Sequence, residues 1–194
     1  MIRTLSFLAL VLAGTANAQQ LQGDALVKAL RQGGYVIVMR HASSPRDVPD
    51  KAAANPDNVK PERQLDPEGR ASATAMGKAL RDLKIPIGAV LTSPTYRALE
   101  TIRYGQFGNP QTFPELGDNG QSMSGGTEAQ ATWLRKKVTE LPKGTNTIIV
   151  THMPNMSRAF PESTANLADG EAVIFGKSGV VARVKIEDWP RMLK

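Results

Sequence analysis

Three stretches of the chain are apolar and rich in strand-forming residues: Tyr35 to Met39, Ala89 to Thr92 and Thr147 to Thr151. Runs of this kind predict central strands covered on both faces. Between them the pattern changes period. Asp66-Pro67-Glu68 sets an N-cap aspartate before a proline at the first helical position, and Ala71, Ala75, Met76, Ala79, Leu80 and Leu83 follow as a buried stripe. Ser93-Pro94 repeats that start ahead of a helix with Arg97 in its first turn and Ala98, Leu99 and Ile102 behind it. Thr127-x-x-Gln130 reads as a capping box, with Ala131, Leu134, Val138 and Leu141 continuing its helix. A short helix capped by Asp24 and stopped by Gly33-Gly34 precedes the first strand. Ala172 to Phe175 and Val180 to Ile186, joined by Gly176-Lys177-Ser178-Gly179, predict a hairpin at the sheet edge.

The order strand–helix–strand–helix–strand predicts an α/β domain, a three-layer sandwich with a mostly parallel central sheet and helices on both faces. Two polar stretches interrupt it, Ala42–Leu65 and Gly108–Gly126. Connections of that length are uncommon and are often binding loops or lids. The first follows His41 directly and is read as a lid; Thr112-Phe113 is a candidate short strand within the second.

The strands deliver unusual residues. The first runs into Arg40-His41, the third into His152, and the second leads to Arg97 one helical turn later. In an open α/β sheet, ligands gather outside the carboxyl ends of the strands. Parallel strands open on one edge, so two arginines and two histidines converge there. The guanidinium of Arg97 sits poorly against the positive end of its helix, which suggests an anion to meet.

Composition narrows the chemistry. The chain has 194 residues, 41% hydrophobic and 22% charged, with a formal charge of +6. That excess suits anionic small molecules or surfaces. Nucleic acid is not expected, because the one dense basic run, Arg135-Lys136-Lys137, lacks interleaved aromatics and reads as a solvated helix face. The absence of cysteine excludes disulfides, thiolate zinc sites and thiol nucleophiles, and there are only two histidines. These lie in separate motifs, without the close spacing of zinc ligands, so no metal or other cofactor is expected.

The first 18 residues read as a secretory signal: Arg3, an apolar core from Leu5 to Ala13, and the small-x-small site Ala16-Asn17-Ala18. Cleavage would start the mature chain at Gln19, as one domain over 19–194 with a formal charge of +5 after loss of Arg3. The apolar run is too short to span a bilayer, although an uncleaved anchor is the competing reading. The expectation is an exported protein without stable membrane insertion, periplasmic in a Gram-negative host.

Two guanidiniums neutralise a phosphoryl group and bind its oxygens through planar forks. A neutral imidazole can attack phosphorus, and nearby arginines disfavour its protonated form. A second imidazole can donate to the transferring oxygens. Arg40-His41-Ala42, Ser93-Pro94-Thr95-Tyr96-Arg97-Ala98-x-x-Thr101 and Thr151-His152-Met153-Pro154-Asn155 resemble the three signatures of the histidine phosphatase superfamily, in its phosphoglycerate mutase-like branch. Leu65-Asp66-x-x-Gly69-Arg70-x-x-Ala73 resembles that branch's segment between the first two.

The resemblance implies a phosphoglycerate mutase-like fold and a phosphorylated nucleophile at His41, with Arg40, Arg97 and His152 completing the phosphate pocket. Met153 stands where the acid phosphatase and phytase branch often has aspartate. By the same resemblance Glu115 is the proton donor, with Asp118 as the alternative. Ser43 and Asn155 are candidates for further phosphate hydrogen bonds. The expected activity is metal-independent hydrolysis of a phosphate monoester on a phosphorylated small molecule or envelope glycan. A phosphomutase and a catalytically silent module that binds phosphorylated ligands are the alternatives.

Overall fold

Strand β1 (Tyr35–Arg40) has the bounds its apolar run predicts, and its four inner side chains are all buried. It belongs to a computed structural model that describes residues 20–45, 63–118 and 126–193. The proposed signal sequence, most of the expected lid (46–62) and residues 119–125 of the second loop lie outside the described residues. Helix α1 (Gly23–Gln32) precedes β1, and α2 (Pro67–Asp82), β2 (Ile87–Thr92), α3 (Tyr96–Gly105) and β3 (Pro110–Thr112) follow it. A 3-10 turn at Pro114–Leu116 leads to α4 (Glu128–Lys137), β4 (Asn146–Thr151) and α5 (Met153–Ala159). The hairpin β5 (Ala172–Gly176) and β6 (Gly179–Val184) and a 3-10 segment, Ile186–Leu193, complete the chain.

The six strands form one sheet in the order β3-β2-β4-β1-β5-β6. Pairs β2–β3, β2–β4 and β1–β4 are parallel, as expected of strands joined through helices. The expectation of a mostly parallel sheet holds in part: β1–β5 and β5–β6 are antiparallel, and the sheet is mixed. The physical reason lies after β4. The short α5 and the turns behind it stay at the carboxyl end of the sheet, where Gly170 N–H donates to His41 O at 3.0 Å. No crossover carries the chain back to the other end, so β5 can only run down antiparallel to β1.

Alternation along the strands divides the core into two layers. Ile37, Met39, Val90, Ile148 and Val150 pack with α1, α2, α3 and Trp189 on one face. Val36, Val38, Leu91 and Ile149 pack with α4 and α5 on the other. This is the three-layer sandwich that the strand–helix order predicts.

Several local expectations change. Helix α1 is capped at Gln22, and Asp24 lies inside the first turn, where its charge still complements the helix dipole. Thr95, not Ser93, is the N-cap of α3, because Ser93-Pro94 remains in the preceding turn. On α2, Ala71 and Ala75 face solvent, and the buried stripe runs through Gly69, Ala73, Met76, Gly77 and Leu80. Helix α5 follows β4 directly with Pro154 in its first turn, a start that the apolar patterning had not indicated. Asp66 does cap α2, accepting from Gly69 N–H at 2.7 Å, and the capping box at Thr127 and Gln130 is formed.

The α2 stripe contains glycines because two backbones come too close for a side chain. A Cβ on Gly69 would overlap the Ser43 carbonyl oxygen, and one on Gly77 would overlap that of Gly105 on α3. Alanine at Gly77 gains helix propensity of about 1 kcal/mol but must force α2 off α3. Overpacking of that kind costs about 1–3 kcal/mol or more, and a rigid carbonyl cannot swing aside. Gly77→Ala is therefore expected to lower stability by up to about 2 kcal/mol in urea unfolding, the overpacking cost less the propensity gain; a stabilised variant would show that the two helices separate freely.

Candidate active site

Register builds the site. Arg40 pairs with Thr151 across β1–β4, and Thr92 with Val150 across β2–β4. The next residues of these strands, His41, His152 and Ser93, therefore leave the sheet side by side. The two imidazole centroids are 5.3 Å apart, about one strand spacing, with the rings at 61°.

Arg97 enters from the first turn of α3 and is wholly buried. Its Nε donates to His41 Nε2 at 3.1 Å, and its Nη2 approaches His152 Nδ1 at 3.1 Å. Nη2 also forms an ion pair with the buried carboxylate of Asp118. Arg40 comes from the other side, half-buried, with Nη2 on Asp169 Oδ1 at 2.6 Å and Nη1 donating to Leu167 O at 3.4 Å. All four residues that the strand ends singled out thus meet at the carboxyl edge of the sheet.

The hydrogen bonds assign the tautomers. His41 Nδ1 lies 2.8 Å from the Ala42 carbonyl oxygen and must donate to it. Nε2 is then bare and accepts from Arg97. His152 has the opposite partners: Nδ1 accepts from Arg97, so Nε2 carries the proton and donates to Ser93 Oγ at 2.8 Å. Both rings are held neutral. Burial and then the Arg97 charge lower the His41 pKa well below its ordinary value, with His152 and Arg40 adding to the effect. Burial, Arg97, Arg63 and Arg40, in that order, do the same at His152.

Arg63 is a member of this group that motif reading missed. It is buried just ahead of Leu65, and its charge acts on His152 more strongly than that of Arg40. Its signal in the sequence was adjacency to Leu65-Asp66, but an arginine in a polar loop carries no periodicity to mark it.

The two candidate acids part company. Glu115 lies half-buried on the 3-10 turn Pro114–Leu116, and among the described residues no hydrogen bond or ion pair joins it to either imidazole. Asp118 is buried against Arg97. The backbone before it is clamped: Thr151 Oγ1 donates to Leu116 O at 2.8 Å, while Asn155 Nδ2 and Gln130 Nε2 donate to Gly117 O at 2.7 and 2.9 Å. Asn155 thus holds the Asp118 segment, and Ser43 Oγ donates to Asp66 Oδ2 at 2.7 Å.

Solved structures share this architecture. The protein histidine phosphatase SixA complexed with tungstate superposes at a TM-score of 0.56 with 18% identity, over 79% of this chain and 98% of that one. This chain therefore has the histidine phosphatase fold. A phosphoserine phosphatase variant from Entamoeba histolytica, in complex with phosphoserine, matches at a TM-score of 0.53 and 11% identity, over 79% of this chain and 98% of that one. Bacillus stearothermophilus YhfR matches at 0.52 and 16%, over 75% and 93%. No protein-family model matches the chain, and no curated protein sequence does.

Within the histidine phosphatase fold this pocket makes stability depend on pH. Each imidazole has a folded pKa below its unfolded value of about 6.5, so the unfolded chain binds more protons below that pH. Stability is full above about pH 6.5 and falls as pH drops towards the folded values, by at most about 1.4 kcal/mol per pH unit for each ring. Unfolding free energies measured from pH 7.5 to pH 5 should decline, and His41→Asn should make the decline shallower. A slope unchanged in that variant would mean that His41 is not held neutral.

Proposed function

We propose that the protein is a phosphatase that hydrolyses a phosphate monoester through a phosphohistidine on His41, without a metal. The observation that carries this reading is the state of the His41 ring: Nδ1–H is tied to the Ala42 carbonyl and Nε2 keeps its lone pair among the guanidiniums. In the empty site that lone pair accepts from Arg97 Nε–H, and it becomes the nucleophile once a bound phosphoryl group takes over the guanidinium hydrogens. The solved phosphatases of the same fold support it.

In the first step His41 Nε2 forms a bond to phosphorus as the ester oxygen departs. Arg40, Arg97 and the His152 side take up the charge on the phosphoryl oxygens. The alkoxide leaving group needs a proton, and Asp118 is the carboxyl group seated against Arg97. In the second step water attacks phosphorus, the N–P bond breaks, and the same carboxylate accepts the water proton. Substrate charge is met by a pocket in which Arg63 adds a third guanidinium. The substrate class that fits the sequence reading is a phosphorylated small molecule or envelope glycan, met outside the cytoplasm after export.

Brief mixing with p-nitrophenyl phosphate followed by a base quench should trap phosphate on His41, and His41→Ala should trap none. Phosphate found on another residue would refute the His41 assignment, and binding without turnover over a wide substrate panel would replace this reading with that of a silent binding module.

The acid is identified by its leaving-group dependence. p-Nitrophenolate departs without a proton, whereas an alkoxide does not. Asp118→Asn is expected to slow phosphorylation of His41 by an alkyl phosphate, read in a single turnover, by about 10²–10⁴ and that by p-nitrophenyl phosphate far less. Glu115→Gln should leave both near wild type; the opposite pattern would return the role to Glu115. Export is checked separately: protein recovered from a Gram-negative host should begin at Gln19 by intact mass.

A further inference from the structure

Thr101 lies one turn beyond Arg97 on α3 and is fully buried. Its hydroxyl donates to the Arg97 carbonyl oxygen at 2.8 Å, an ordinary back-bond for a helical threonine. The same oxygen also accepts the Ala42 N–H at 3.0 Å, from a residue 59 positions away. Ala42 directly follows His41 and is itself wholly buried, so its amide has no access to water.

The contacts close into a ring. The His41 Nδ1–H meets the Ala42 carbonyl, and the Ala42 amide meets Thr101. Thr101 meets the Arg97 backbone, and Arg97 Nε returns to His41 Nε2. One turn of α3 therefore grips the imidazole from both nitrogens, through a side chain at one and through Ala42 at the other. The neighbouring Glu100 accepts Leu65 N–H at 2.9 Å, so α3 also holds the far end of the same loop.

We propose that Thr101 is a positioning residue for His41. Its hydroxyl sets the orientation of Ala42, and through the Ala42 carbonyl it holds the imidazole by its Nδ1–H, opposite the grip of Arg97 on Nε2. The catalytic consequence rests on the phosphatase reading; the structural one does not. Valine has nearly the shape of threonine but no acceptor. With valine, the buried Ala42 amide turns towards another partner and the carbonyl leaves Nδ1. Serine keeps the hydroxyl and the ring of contacts.

The test uses the full chain labelled with ¹⁵N, because the shift and solvent exchange of an imidazole N–H report the hydrogen bond it makes. Wild type and Thr101→Ser should show a His41 Nδ1–H protected from exchange by its bond to the Ala42 carbonyl, and Thr101→Val should lose that protection while Arg97 keeps Nε2 unprotonated. On p-nitrophenyl phosphate, Thr101→Val should lower kcat by about tenfold or more with KM changed less than about threefold, and Thr101→Ser should restore kcat. A folded Thr101→Val whose His41 Nδ1–H keeps its wild-type shift and protection overturns the proposal. Should valine prevent folding, Thr101→Cys, close in size but a weak acceptor, is read by the same criteria. If wild type itself does not turn over, the phosphatase reading fails, and the imidazole spectra still decide the role of Thr101.

Discussion

A buried guanidinium is the constraint on which this site depends. Arg97 is wholly inaccessible and carries its charge in the first turn of a helix, where the dipole opposes it. Taking such a cation out of water costs several kcal/mol unless its hydrogens are placed. Here they are: Nε goes to His41, and Nη2 is shared between His152 and the carboxylate of Asp118. The two imidazoles can serve as acceptors only while neutral, and the guanidinium helps keep them so. The arrangement is self-consistent, since protonating either ring would place two cations about 3 Å apart.

That consistency depends on alignment. His41 and His152 sit together because β1 and β4 are paired without a slip, Arg40 opposite Thr151. A shift of one residue would turn one imidazole to the other face of the sheet. The register is in turn specified by burial on both faces, since each strand sends alternate residues into a different hydrophobic layer. The carboxyl edge is then locked from outside the sheet. Gly170 N–H holds His41 O, and Asp66 N–H holds Ser43 O at 3.2 Å. Gly69 has no side chain to hold the α2 turn away from Ser43. The polar groups around the nucleophilic turn are met by neighbours distant in sequence, so rigidity at His41 is a property of the whole edge.

Much of this was legible from the chain. The bounds of β1, the helix starts at Asp66 and Thr127, the hairpin and the convergence of Arg40, His41, Arg97 and His152 all follow from local patterning plus one topological rule. What was not legible is three-dimensional. The direction of β5 depends on which end of the sheet the chain leaves after α5, and no periodicity encodes that. Ser93 resembled a helix cap because serine before proline usually is one; here its hydroxyl is turned to His152 and Thr95 takes the cap. Glu115 and Asp118 are both loop carboxylates in sequence. Only the clamp of Thr151, Gln130 and Asn155 on the backbone of Leu116 and Gly117 separates them.

The tautomers carry one further argument. If His41 attacks phosphorus as a neutral base, it can give no proton to the leaving group, because its one N–H is spent on the Ala42 carbonyl. His152 is no better placed, since burial and three arginines oppose the imidazolium and its N–H points to Ser93. The arginines do not give up protons at any relevant pH. On the phosphatase reading the proton is therefore left, among the described residues, to a carboxyl group. When a phosphoryl dianion arrives at Arg97, the carboxylate already there becomes one anion too many. Asp118 is the buried carboxyl group seated against that guanidinium, the counter-ion of the empty site and, on the phosphatase reading, the proposed acid of the occupied one. The ion pair that stabilises the buried guanidinium before binding and the proton transfer needed after it are, on this argument, tasks of the same side chain.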